Sequence, residues 1–171
     1  MQPFILPIVQ RNGATVQQPV IYQYTGENRF LSNFAPASVV LRDEDGLPDV
    51  RFNNIETAYV AWKTLDYSLR EHISKMKPAQ AKQFSHAPEF PLRPDFTDDN
   101  RIAIMHRLLR QKFSRRNFDL MQQLMETKDA LLIEGNTWGD AFFGFDLLKG
   151  FGQNHLGRGQ MDVRTRRLLN P

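Results

Sequence analysis

No cysteine occurs anywhere in the 171 residues, which excludes disulfides, cysteine-bearing zinc sites and a thiol nucleophile. Histidine is sparse: His72, His86, His106 and His155 stand far apart, without the close spacing by which imidazoles share a metal. Long apolar runs are missing too, since no stretch approaches the roughly 20 residues needed to cross a bilayer. Met1–Gln10 lacks the basic start and apolar run of a signal peptide. The expectation is a cytoplasmic protein that uses no membrane, metal or redox cofactor. There is no GxxxxGK phosphate loop and no GxSxG elbow. Gly150-Phe151-Gly152 opens like a dinucleotide fingerprint, but His155 holds the place of its third glycine and no suitable βαβ unit follows.

What is present is 41% hydrophobic and 24% charged, enough for one ordinary globular domain with a core. The charge is uneven. Residues 101–171 carry 12 Lys or Arg against 7 Asp or Glu, and Arg101, Arg107, Arg110, Lys112, Arg115 and Arg116 follow one another without an intervening acid. Such a run attracts phosphates. Equally, a helix that buries Ile102, Met105, Leu109 and Phe113 leaves most of these cations on a solvated face.

The first 19 residues hold three prolines and no sustained periodicity, so they read as a loosely attached arm, with the folded domain over 20–171. Val20–Tyr24 reads as a short strand, and Ser38–Leu41 with Val50–Phe52 as a hairpin whose connection contains Asp45-Gly46. Ile55, Tyr59 and Trp62 begin a helix at i, i+4 and i+7, with Asn54 as N-cap and an expected end near Ile73. Pro78 opens a short helix to Phe84, and Pro88, Pro91 and Pro94 impose an extended stretch before the basic helix. A helix over Asn117–Met125, a buried strand over Ala130–Ile133, a glycine-rich segment from Gly135 to Gly159 and a closing helix to Leu169 complete the chain. This order predicts a helix-rich α+β domain with a few short antiparallel strands.

Three sets of polar residues stand where a core does not need them. Glu56 and Lys63 are seven apart, hence two turns along one helix face, with Tyr67 continuing the row. At about 1.5 Å rise per residue their backbones are roughly 10 Å apart, which suits a grip on a small ligand as well as a solvated surface. Glu134, Asn136, Trp138 and Asp140 follow the apolar run, as ligand-binding residues or as a structural turn. Arg164 is in line with Gly157, Met161 and Leu168, either snorkelling or drawn inward by an anion or carboxylate.

From Tyr24 to Leu169 these residues resemble the NADAR (YbiA-like) family. The resemblance is carried by Gly26 with Leu31-Ser32-Asn33-Phe34, by Phe52-Asn53-Asn54-Ile55-Glu56 continuing to Lys63, and by Ala81-Lys82. It continues in Arg93-Pro94-Asp95-Phe96, Arg101, Met105 and Lys112-Phe113. The most specific part is C-terminal: Glu134, Asn136, Trp138, Gly139, Asp140, Phe143 and Gly144, then Gly152, Asn154, Leu156, Gly157, Met161 and Arg164. Phe96 and Phe143 depart from a pattern that usually has tryptophan there, which keeps stacking but loses an indole N–H.

The resemblance implies N-glycosidase activity on a bond between ribose and an exocyclic nitrogen of a base. ADP-ribose on guanine, in nucleic acid or nucleotide, is the favoured substrate, and riboflavin-pathway ribosylaminopyrimidine phosphates are the alternative. A binding module that holds ADP-ribose or modified nucleic acid without cutting is the competitor from another class. The resemblance implies Glu56 as the carboxylate beside the anomeric carbon and Lys63 as an electrostatic or acid partner, or as an amine that forms a Schiff base. It implies Asp140 as positioner of ribose hydroxyls or acid-base partner, and Trp138, Phe96 and Phe143 as walls around the base. Ser32, Asn33, Arg101 and Arg164 are expected phosphate contacts. The resemblance implies Phe34, Lys82, Asp95, Gly144 and Asn154 as further substrate-binding positions. Nucleic acid is a possible partner through the basic helix.

Overall fold

A computed structural model describes residues 4–9, 15–42 and 46–169. The chain is α+β and helix-rich, and it divides into two compact units: residues 33–121, and a second unit formed by residues 1–32 with 122–171.

The central unit begins with β3 (Val39–Leu41) and β4 (Val50–Phe52), an antiparallel pair in the expected place. β3 is also held from the side, because the Gln111 amide donates to the Val40 carbonyl and accepts from the Val40 N–H, at 2.8 Å each. Helix α1 (Ile55–Trp62) follows, and the Asn54 side chain caps it by accepting from the Thr57 N–H. All eight of its residues are buried, so this is a core helix rather than an amphipathic surface one.

The helix expected to run to Ile73 stops after Trp62. Thr64 accepts the Asp66 N–H, Asp66 caps α2 (Tyr67–Ser74) through the Leu69 N–H, and the buried Arg70 donates Nε to the Thr64 carbonyl at 2.7 Å. These bonds satisfy the groups of a break, which the apolar spacing does not reveal. Lys63 therefore sits at the C-cap of α1, and Tyr67 belongs to the next helix. α3 (Pro78–Phe84) starts at its proline as predicted. α4 (Asp98–Lys112) is capped by Thr97 and buries Ile104, Met105, Leu108 and Leu109. Ile102 is half-exposed instead, and Lys112, expected among solvated cations, is fully buried with its ammonium 5.1 Å from the Phe113 ring centre.

In the terminal unit, β1 (Phe4–Val9) pairs antiparallel with β2 (Thr15–Ile21), and β2 pairs parallel with β5 (Leu131–Leu132). Strand structure thus begins well before Val20, where the sequence reads as a loose arm. The prolines that obscured it suit their places: Pro7 is on the edge strand, and Pro19 precedes the stretch of β2 that pairs with β5. β6 (Gly135–Asn136) and β7 (Phe145–Asp146) are also parallel, so the short strands are not all antiparallel. α5 (Phe118–Glu126), within which the division between the units falls, and α6 (His155–Leu169) match the expected helices. No helix among the described residues is long and apolar enough to cross a membrane.

Candidate active site

Glu56, in the first turn of α1, is only 8% exposed, and its N–H donates to the Asn33 carbonyl at 3.1 Å. A carboxylate in that position is removed from water and is not part of a solvated face. Lys63 closes the same helix half-buried, donating from Nζ to the Ser85 hydroxyl at 3.0 Å and lying 5.3 Å from the Tyr59 ring centre. Burial pushes the Lys63 ammonium below its ordinary range; the negative charge of Glu56 opposes this, while Arg101 and Lys82 reinforce it. The fold thus gathers Glu56, Lys63, Lys82 and Arg101 into one electrostatic neighbourhood.

The surroundings are built from aromatics and arginines. Tyr59 and Trp62 stack with centres 6.0 Å apart, and Phe96 packs against Trp62 at 6.0 Å. Arg101 lies 5.3 Å from the Phe96 ring centre and donates Nε to the Tyr59 hydroxyl at 3.2 Å, while its other arm meets Asp98 at 2.6 Å. Arg93 lies 4.6 Å from the Trp62 ring centre and grips Asp95 with two nitrogens, at 2.6 and 3.0 Å. That grip holds the Asp95 carboxyl below its usual range and makes Asp95 a brace for the loop. The Arg93 N–H donates to the Lys63 carbonyl at 2.7 Å, fixing the α1 terminus.

Asn33 is buried beside Glu56. Its amide nitrogen reaches the Met105 sulfur at 3.8 Å, and its amide oxygen has no hydrogen-bond partner among the described residues. Phe34 is half-buried next to it in sequence. Ser85 was missed by sequence reading; nothing in a lone serine after α3 signals that it will meet a lysine 22 residues away.

The remaining expected site residues belong to the terminal unit. Ser32 is half-buried at the end of a 3-10 turn. Asp140 Oδ1 accepts the N–H groups of Phe142 and Phe143 at 3.1 and 3.0 Å, and its own N–H and carbonyl are both bonded to the Asn136 side chain. Asn154 joins the Glu134 N–H to the Leu132 carbonyl from a left-handed backbone conformation, φ 51°. Gly144 is required by close packing, since a Cβ there would lie 2.6 Å from Asn136 Nδ2 and 2.7 Å from the Glu134 carbonyl. Phe143 is buried edge-on to Phe142, whereas Trp138 is 67% exposed.

Arg164 is drawn inward onto oxygens of the protein itself. It donates to the Thr127 hydroxyl at 2.6 Å and the Ala130 carbonyl at 2.8 Å. Its row also ends differently from the sequence reading, because Leu168 is exposed. Among the described residues no group of three or more His, Asp or Glu is placed to hold a metal ion.

Residues 21–168 match the NADAR domain. The chain belongs to the NADAR family. It is also similar to the solved structure of the E. coli protein YbiA, with 27% identity, a TM-score of 0.71, and coverage of 90% of this chain and 88% of that one. No curated protein sequence matches it. Membership of the NADAR family suggests chemistry of the N-glycosidase type, and a buried carboxylate beside a desolvated amine is an arrangement able to perform it.

Proposed function

We propose that this NADAR protein is an N-glycosidase that removes ADP-ribose from the exocyclic nitrogen of guanine in nucleic acid or nucleotide. The observation that carries the reading is Glu56 held out of water in the electrostatic neighbourhood of Lys63, whose ammonium is destabilised by burial and by two further cations.

Desolvation and neighbouring cations favour the neutral amine, the form required of a nucleophile. An exocyclic N-glycoside opens its sugar ring to an imine between C1 and the base nitrogen. Lys63 Nζ adds to C1, Glu56 relays a proton from Nζ to the departing nitrogen, and the carbon–nitrogen bond to the base breaks. The Schiff base left on Lys63 is then hydrolysed: water supplies the oxygen at C1, the amine returns to Lys63, and the sugar recloses. The net change is one water added and one C–N bond lost. While ionised, before and after that relay, the Glu56 carboxylate stabilises positive charge near C1. At about 4 Å and an effective dielectric near 20, such a pair contributes about 4 kcal/mol, worth nearly three powers of ten in rate. The Asn33 amide oxygen, without a partner among the described residues, is suited to accept a ribose hydroxyl, and Phe96 and Arg101 offer a ring and a charge at the rim.

The test is incubation with ADP-ribosylated guanine and, separately, a ribosylaminopyrimidine phosphate, followed by mass spectrometry with and without borohydride. The expected result is release of ADP-ribose and a reduced adduct on the Lys63 peptide. Release from the pyrimidine alone moves the protein to the riboflavin intermediates, and tight binding without release makes it a binding module.

A further inference from the structure

Helix α4 sorts its cations onto different faces. Arg101 turns toward Tyr59, and Lys112 is buried. Asn100, Ala103, Arg107, Arg110, Gln111 and Ser114 recur at steps of about three and four and form a third stripe. That stripe lines two adjoining cavities. One, of about 150 Å³, has Arg42, Arg70, Arg93, Asp95 and Arg107 in its wall. The other, of about 380 Å³, has Arg42, Arg107, Arg110 and Arg116. Because Arg42 and Arg107 belong to both, the cavities form one trench.

The uncharged and acidic groups of this trench are already engaged. The Gln111 amide is bonded both ways to Val40, and Asp95, the carboxylate among the described lining residues, is held by Arg93. At its inner end Arg70 is buried on the Thr64 carbonyl and Arg93 is held by Asp95; along the rest of the trench Arg42, paired with Asp49 at 3.9 Å, Arg107, Arg110 and Arg116 supply guanidiniums, groups that match phosphate oxygens in geometry and charge. Its inner wall includes Trp62 and Arg93, and the Arg93 N–H is bonded to the Lys63 carbonyl. The inner end of the trench is therefore tied through the main chain to the residue that carries the candidate amine, and the trench runs from there along α4. A larger cavity of about 450 Å³ near His72, Lys75 and Phe84 has no such series of cations.

We propose that this trench binds the phosphodiester backbone of a nucleic-acid strand. The inference rests on the glycosidase reading for taking a modified polynucleotide as substrate, but the side chains it is tested on, Arg107, Arg110 and Arg116, have no part in the proposed chemistry. Recognition is by charge and indifferent to sequence, because the lining has no exposed aromatic ring on which a base can stack. The basic run of the sequence is thereby redistributed: Arg115 is exposed outside the lining, while Arg42, Arg70 and Arg93 join it. Asp43, Glu44 and Asp45 follow Arg42 and lie outside the described residues, so Arg42 is left out of the test.

The experiment is fluorescence anisotropy of the full chain with a labelled, unmodified, single-stranded oligonucleotide of mixed sequence across a salt series. Affinity is expected to fall with salt. The exposed pair Arg110→Ala with Arg116→Ala should lower the logarithmic salt slope by about 1.4, at about 0.7 per contact, and Arg107→Ala by about 0.7. Arg115→Ala should change the slope least, and melting curves verify that each variant folds. No binding, equal slopes for parent and double variant, or equally tight binding of a polyglutamate peptide overturns the trench. Turnover of small ADP-ribosylated guanosine reports on the glycosidase reading alone. Turnover without oligonucleotide binding overturns the trench and leaves that reading, whereas salt-dependent binding without turnover supports the trench and overturns the reading.

Discussion

The two units carry polar residues from the same family pattern and use them in opposite ways. Around α1, Glu56 and Lys63 are withdrawn from water yet left in one another's electrostatic field, an arrangement that costs stability and that the proposed reaction uses. Around the glycine-rich segment, Asp140, Asn154 and Arg164 each bond backbone groups that a short, irregular loop leaves without partners. The distinction lies in whether the polar atoms face other side chains or the protein's own main chain.

The largest expected effect tests the first region. Glu56→Gln and Lys63→Ala should each lower turnover about 10² to 10⁴-fold, as for loss of a positioned acid-base group, while melting stays near that of the parent. Near-normal turnover in either variant at normal melting would remove the pair from the chemistry.

The second region should respond in stability. Arg164→Met strands the Ala130 carbonyl and should cost about 2–3 kcal/mol for a buried charged hydrogen-bond donor, lowering Tm by roughly 5–10 °C at this chain length. A 100-fold loss of turnover at unchanged Tm would instead make Arg164 a ligand-binding group and collapse the comparison.

Asp140→Asn sharpens it further, because the amide oxygen can still accept the Phe142 and Phe143 N–H groups. Both Tm and turnover are expected to change little; a large activity loss at constant Tm would return Asp140 to acid-base work.

The smallest effect is a shift in pH dependence. Lys82 lies among the causes that depress Lys63. Lys82→Gln removes a like charge and so favours the ammonium, moving the pKa of Lys63 up toward its ordinary value. The rise of activity with pH that reports the neutral amine should move to higher pH. Ser85→Ala removes a hydrogen bond to the ammonium and should move it the other way. A pH–rate profile that shifts in the same direction for both variants contradicts the assignment of that limb to Lys63.

The sequence by itself determined most of the elements, because they rest on local physics. Asn54 before Ile55, Pro78 at a helix start and the β-branched run at Val39-Val40 specify caps and periodicity that hold wherever the segments pack. It also determined which residues carry the family pattern. Only the tertiary structure decided where the first long helix breaks, since that depends on the buried Arg70 returning to the Thr64 carbonyl. It alone decided that Ser85 meets Lys63, that Lys112 is buried while Arg107 and Arg110 line a trench, and that Arg164 donates to the Ala130 carbonyl. These outcomes turn on burial and on partners distant in sequence. A charged side chain is the same residue type whether it faces water, a ligand or a carbonyl, and spacing alone does not separate the three.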